Sequence, residues 1–127
     1  MKRVLLDTSV LIGSSEPADL EGAVSAASLA ELHFGVLIAA DPDERARRVL
    51  RLGVIEATFD PLPAAAAVAR EWGRLAAAVV GRGGQPRRRA MDLVIAATAN
   101  VHGVALLTTD TADFAIIDDL VTVTALR

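Results

Sequence analysis

The chain has no cysteine. That excludes disulfides, thiolate zinc sites and cysteine nucleophiles together, so any metal must be held by oxygen ligands or by one of the two histidines. Lysine is nearly as scarce: Lys2 stands alone. A P-loop, a phosphate-responsive receiver domain and a haloacid-dehalogenase phosphatase each need a lysine at an internal position, and Lys2 stands at the very start of the first expected strand. Basic contacts therefore fall to arginine, whose planar fork suits phosphate. Tyrosine is absent, with one tryptophan and three phenylalanines. No stretch offers the ~20 apolar residues of a membrane helix. The apolar run Val4-Leu-Leu6 is too short for a signal peptide. These absences lead us to expect a soluble cytoplasmic protein. The formal charge of −3 is not the footprint of a nucleic-acid binder.

What is present fits one domain, residues 1–127, with a single core. Much of the apolar content is alanine, which favours helix. Residues 2–6 read as a buried strand running into Asp7-Thr8-Ser9, a helix-start signal, with a helical turn over 8–13. Ser14, Ser15 and Pro17 mark a loop, and 22–27 form a candidate second strand. Ser28 is expected to cap a helix from Leu29 to about Ala40. Asp41-Pro42-Asp43 starts an amphipathic, surface-facing helix bearing Arg45, Arg47, Arg48 and Arg51. Residues 54–59, rich in β-branched and aromatic side chains, read as a strand. An alanine-rich helix follows over 64–80, then a Gly/Pro/Arg loop, 81–89. A helix over 90–102 is closed by Gly103. Strands at 104–108 and 121–125 bracket a turn at Asp110–Asp113. Alternation of strands and helices predicts an α/β domain with a mostly parallel sheet.

Ligands of such sheets bind beyond the carboxyl ends of the strands. Asp7 follows the first strand and Asp110 follows the strand 104–108. Two further acids interrupt apolar helices. Glu31 shares helical spacing with Phe34, Gly35 and Ile38, and Asp92 with Ile95, Ala96 and Ala99. A carboxylate on a core-facing stripe is costly unless paired or metal-bound. Hard oxygen ligands suit Mg²⁺ or Mn²⁺.

Four segments then carry a resemblance. Val4-Leu-Leu-Asp-Thr-Ser-Val-Leu-Ile12, Ser28-Leu-Ala-Glu-Leu-His-Phe-Gly35, Asp92-Leu-Val-Ile-Ala-Ala-Thr-Ala99 and Leu107-Thr-Thr-Asp-Thr-Ala-Asp-Phe114 resemble, in order, the four acidic motifs of PIN domains. The resemblance spans nearly the whole chain, which is most similar to VapC-type toxins of bacterial toxin–antitoxin pairs. It implies a three-layer PIN-like fold and a carboxylate-held Mg²⁺ (or Mn²⁺) that serves hydrolysis of RNA phosphodiesters. Asp7, Glu31, Asp92 and Asp110 match the family's catalytic and metal-binding acids. Thr8 or Ser9, and Thr108, match supporting hydroxyls, and Asp113 competes with Asp110 for the fourth place, with Asp110 preferred because it comes sooner after the strand. The resemblance also implies a VapB-like antitoxin covering an apolar groove between the early helices, and a homodimer through the helices at 29–40 or 64–80.

Plainer readings compete. Asp7 could merely cap its helix, Asp110 could form an Asx-turn, and Asp92 could pair with Arg88. Arg82, Arg87, Arg88 and Arg89 could grip an RNA backbone or simply be solvated. The arginines at 45–51 read as a wet helix face, and Trp72 as core or interface. With so few aromatics, recognition should rest on RNA shape and backbone. A non-cleaving PIN-like module that binds RNA or protein is the alternative activity.

Overall fold

The structure, a computed structural model, describes residues 2–13 and 20–126. The loop expected at Ser14, Ser15 and Pro17 lies outside them. In chain order the elements are β1 (Lys2–Leu6), α1 (Thr8–Leu11), β2 (Leu20–Ala23), α2 (Ala26–Leu37), α3 (Pro42–Thr58) and α4 (Ala66–Gly81). A 3₁₀ turn (Pro86–Arg89) then leads to α5 (Ala90–Val101), β3 (Ala105–Thr108), a second 3₁₀ segment (Thr111–Ile117) and β4 (Val123–Ala125).

All four strands are parallel, in the order β2-β1-β3-β4. The strand alternation explains why both faces are covered. In β1, Leu5 packs into a core with α4 and α5 residues such as Leu75, Val79, Leu93 and Ile95. Val4 and Leu6 point the other way, into a second core with Val10, Leu11 and Ile55. Leu106 and its neighbours Ala105 and Leu107 divide likewise in β3. The α/β layering expected from the sequence is present.

Helix ends follow local chemistry. Gly103, at φ 65°, lets Val104 N–H reach the Ala99 carbonyl and its own N–H reach Asn100, closing α5. Gly83, at φ 82°, closes α4 in the same way through Val79 and Val80. Trp72 of α4 is half-buried and donates from Nε1 to the Ala90 carbonyl at 3.1 Å.

Three local expectations are corrected. The cap of α2 is Ser25, whose Oγ accepts from Ser28 N–H at 3.1 Å. The helix therefore begins three residues before Leu29, and β2 ends at Ala23. Residues 54–59 are not a strand, because α3 continues to Thr58. Leu52 and Ile55, three apart, are buried, so packing of one helical stripe overrides the local β-propensity. The turn expected at Asp110–Asp113 is the start of the longer 3₁₀ segment.

The sequence places the apolar stripe of α2 against the core, yet its outer part faces away. Phe34, Leu37 and Ile38 are 62, 74 and 58% exposed. The last turn of α2 is instead fastened to α3. Arg48 Nη1 donates to the Gly35 carbonyl at 2.6 Å, and Arg45 reaches those of Val36 and Leu37 at 3.3 and 3.4 Å. The Val36 carbonyl also accepts from Ala39 N–H at 3.4 Å, so the guanidinium groups supplement the bonding of these last-turn carbonyls and favour the helix dipole. No helix among the described residues is long and apolar enough to cross a membrane.

Candidate active site

The sheet order changes direction between β1 and β3, and their carboxyl ends lie side by side. Asp7 N–H extends the ladder by one bond, to the Leu107 carbonyl at 2.9 Å. This sets Asp7 next to Thr108, the last residue of β3. Asp7 is only 5% exposed, yet its carboxylate does not cap α1. Ser9 Oγ and Thr108 Oγ1 both donate to its Oδ2, each at 2.8 Å. Each hydroxyl has one proton. Their lone pairs are taken by backbone donors, Thr109 N–H on Ser9 at 3.2 Å and Asp110 N–H on Thr108 at 3.0 Å. The carboxylate is a stronger acceptor than the other hydroxyl, 3.2 Å away, so both protons go to Asp7. No hydrogen bond to Oδ1 is made among the described residues.

Glu31 arrives from the adjacent wall. Thr8 Oγ1 lies 2.8 Å from Glu31 Oε1 and 3.0 Å from Ser28 Oγ. Its single proton goes to the carboxylate, the stronger acceptor. Ser28, expected as a cap, is fully buried and links Thr8 to the true cap Ser25. Glu31 therefore reaches the site across the seam between α1 and α2 rather than from the core.

Asp92 stands in the first turn of α5, half-buried. Burial pushes its pKa from the usual 3.8 up to about 6, and the carboxylates of Asp113, Asp7 and Glu31 push in the same direction. Arg89 partly offsets them. No Arg88–Asp92 ion pair forms among the described residues. Asp113 is itself raised by burial and by neighbouring Asp110, while Asp110 is exposed. Of the two competing acids, Asp113 is the one whose charge acts most on Asp92.

Among the described residues, no three acids or histidines converge as a ready-made metal-ligand set. The acids face one another through a wider gap, across which Coulomb repulsion still acts. Mg²⁺ keeps several waters and is often held by only one or two carboxylates. The hard oxygen donors and their mutual repulsion therefore fit a hydrated divalent cation.

The arginines divide by what they touch. Arg82 is occupied by the Asp119 carboxylate and the Ile116 carbonyl, away from any free surface role. Arg89 holds the Asp113 carbonyl at 2.6 Å. Arg87 and Arg88 are exposed on the 3₁₀ turn that leads into α5. Neither histidine joins the acids: His33 bonds Glu56 on the outer face, and His102 ends α5.

A family model of the PIN domain matches residues 4–120. The chain belongs to the PIN-domain family. Among curated relatives it is 37% identical over 131 residues to Ribonuclease VapC4 of Mycobacterium tuberculosis, covering 98% of each chain. It is 36% identical to Ribonuclease VapC5 of the same organism, covering 97% of this chain and 93% of that one. The crystal structure of VapBC-5 from M. tuberculosis, a member of the VapBC family of toxin–antitoxin systems, superposes with a TM-score of 0.84. It is 36% identical over 100% of this chain and 99% of that one. The parallel sheet of this PIN domain and its flanking helices are thus shared with a solved VapBC structure.

Two features of the candidate site were not read from the sequence. The first is the chain Ser25–Ser28–Thr8 that anchors Glu31. The second is the approach of Arg48 and Arg51 to the cleft holding Glu31. The spacing of Glu44, Arg48, Arg51 and Ile55, at four, three and four residues, was the available signal: one stripe of α3 runs from surface charge into core.

Proposed function

We propose that the protein is a metal-dependent endoribonuclease toxin that hydrolyses RNA phosphodiester bonds and is neutralised by a cognate VapB-like antitoxin. The observation that carries this reading is Asp7. A buried carboxylate at the switch point of the sheet is oriented by two hydroxyls, does not cap its helix, and repels Asp92. The hydroxyl bonds tie β1 to β3, but an unpaired, mutually repelling set of carboxylates beside them costs stability and fits chemistry at a cation. The relatives named as ribonucleases support the substrate class.

In this reading Asp7, Glu31, Asp92 and the Asp110–Asp113 pair hold Mg²⁺ or Mn²⁺, with Asp113 favoured as the fourth acid by its action on Asp92. Bound there, the cation supplies Lewis-acid chemistry toward phosphate and water. The chain's own groups do the positioning. Ser9 and Thr108 fix Oδ2 of Asp7, and Thr8 fixes Oε1 of Glu31. In the metal-free protein Asp92 holds or releases a proton at its carboxylate near pH 6. Arg87 and Arg88 stand ready for backbone phosphates beside α5.

The exposed Phe34, Leu37, Ile38 and Leu50 of the α2–α3 hairpin supply the apolar surface for the antitoxin. An apolar cleft of about 350 Å³ between α4 and α5, lined by Val68, Trp72, Met91 and Val94, supports α4 as the homodimer surface. Cytoplasm is where such a toxin meets both RNA and antitoxin. The wide spacing of the acids favours one second reading, a PIN-like module that binds RNA or protein without cutting.

The deciding experiment incubates total cellular RNA with purified, antitoxin-free protein in Mg²⁺, Mn²⁺ or EDTA, beside Asp7→Asn. Discrete fragments that need metal and vanish in the variant are expected. Intact RNA from folded protein, together with retained RNA binding, would establish the non-cleaving module instead.

A further inference from the structure

The cleft that contains Glu31 measures about 370 Å³ and is not purely acidic. One wall is the acidic site itself, Thr8 and Glu31; the opposite wall is Arg48 and Arg51 of α3. Arg48 is immobilised on both sides, by Glu44 Oε1 at 2.9 Å and by the Gly35 carbonyl at 2.6 Å. Arg51 lies nearly one turn further along, exposed, and makes no hydrogen bond or ion pair among the described residues.

The charges on that wall do not cancel. Glu44, its one acid, is engaged by both Arg47 and Arg48, which leaves an excess of positive charge. Nor do these arginines serve Glu31, which is held by the Thr8 hydroxyl. A cationic fork placed in a cleft with an acid it does not pair with has a use once that acid is neutralised by a cation. A polyanion threading the site then meets the acids at one point and Arg51 beyond them. Arginine matches phosphate by two parallel N–H donors.

We propose that Arg51, beside the fixed Arg48 in the same cleft, is a phosphate subsite for the single-stranded RNA flanking the scissile bond. The inference rests on the nuclease reading for the identity of its polyanion. It assigns substrate contact to a helix face that sequence alone describes as solvated, on an element separate from the Arg87–Arg88 turn.

The test is fluorescence anisotropy of a labelled 20-nucleotide single-stranded RNA in Ca²⁺, titrated at several KCl concentrations, with RNA integrity checked by gel. Wild type is compared with Arg51→Gln and with Arg74→Gln. The latter makes the same change in net charge on α4, where Arg74 is paired with Glu71. Arg51→Gln should weaken binding about tenfold and flatten the slope of log K against log[KCl] by about 0.7, the contribution of one phosphate on a single strand. Arg74→Gln should leave the slope unchanged. A Mn²⁺-induced rise in melting temperature equal to wild type would show that the Arg51→Gln acidic site is intact. Equal slopes for wild type and Arg51→Gln overturn the subsite, even if the enzyme cuts RNA. Wild type that binds with the expected slope difference but never cuts overturns the nuclease reading and leaves the subsite standing. Wild type that does neither overturns both.

Discussion

Replacing Asp92 by asparagine separates a catalytic acid from a structural one through stability as well as activity. In the metal-free fold its pKa is raised from 3.8 to about 6 by burial and by three facing carboxylates. A group with a raised folded pKa contributes its stability below about pH 4 and loses it as pH rises through 6. A rise of this size corresponds to a loss of about 3 kcal/mol at pH 8. Asp92 is only half-buried, so solvent screening reduces this to roughly 1.5 kcal/mol. The asparagine side chain keeps the shape and removes the charge. In EDTA at pH 8, Asp92→Asn should therefore melt about 5 °C above wild type, a gain that shrinks toward zero near pH 4. In millimolar Mn²⁺ the order should reverse, because only wild type gains from binding. Metal-dependent RNA cleavage should disappear. Thermal melts by circular dichroism across pH, with and without Mn²⁺, provide the measurement. A variant that melts below wild type at pH 8 in EDTA would refute the reasoning, since Asp92 would then be making a favourable contact rather than a repulsive one.

Two other substitutions probe different parts of the site. Thr108→Val removes a donor to Asp7 and the acceptor for Asp110 N–H; it should cost about 1–2 kcal/mol in urea unfolding and slow cleavage at least ~10-fold, with Thr108→Ser restoring most of the rate. An unaltered rate in the valine variant would remove Thr108 from the machinery. Leu37→Glu places a charge on the most exposed apolar residue of α2 and should raise at least ~10-fold the antitoxin concentration that halves cleavage; an unchanged requirement would move the antitoxin to another face.

Much of this arrangement is legible before any coordinates. Asp7 and Thr108 end neighbouring strands, and parallel α/β topology brings such ends together. Glu31 stands out in the sequence for a reason that is only half right. Its helix does carry an apolar stripe, but Phe34 and Ile38 face outward, and a single helix pattern cannot distinguish a core from a surface awaiting a partner. The strand expected at 54–59 failed because Val54, Ile55, Thr58 and Phe59 favour β locally, while burial of Leu52 and Ile55 on one side decided for helix. Asp110 ranks ahead of Asp113 in the sequence because it comes sooner after the strand, whereas in the fold Asp113 is the one whose charge acts on Asp92, a difference that emerges only once the 3₁₀ segment forms.

The bond from Trp72 to the Ala90 carbonyl gives the molecule a built-in optical reporter. With no tyrosine and no second tryptophan, excitation near 295 nm addresses this indole alone. Its partner carbonyl belongs to the first residue of α5, two positions before Asp92. Emission from unlabelled protein therefore registers whether the turn bearing that acid is seated. Metal loading, RNA entry or antitoxin capture can be followed in real time by any disturbance each transmits to this turn.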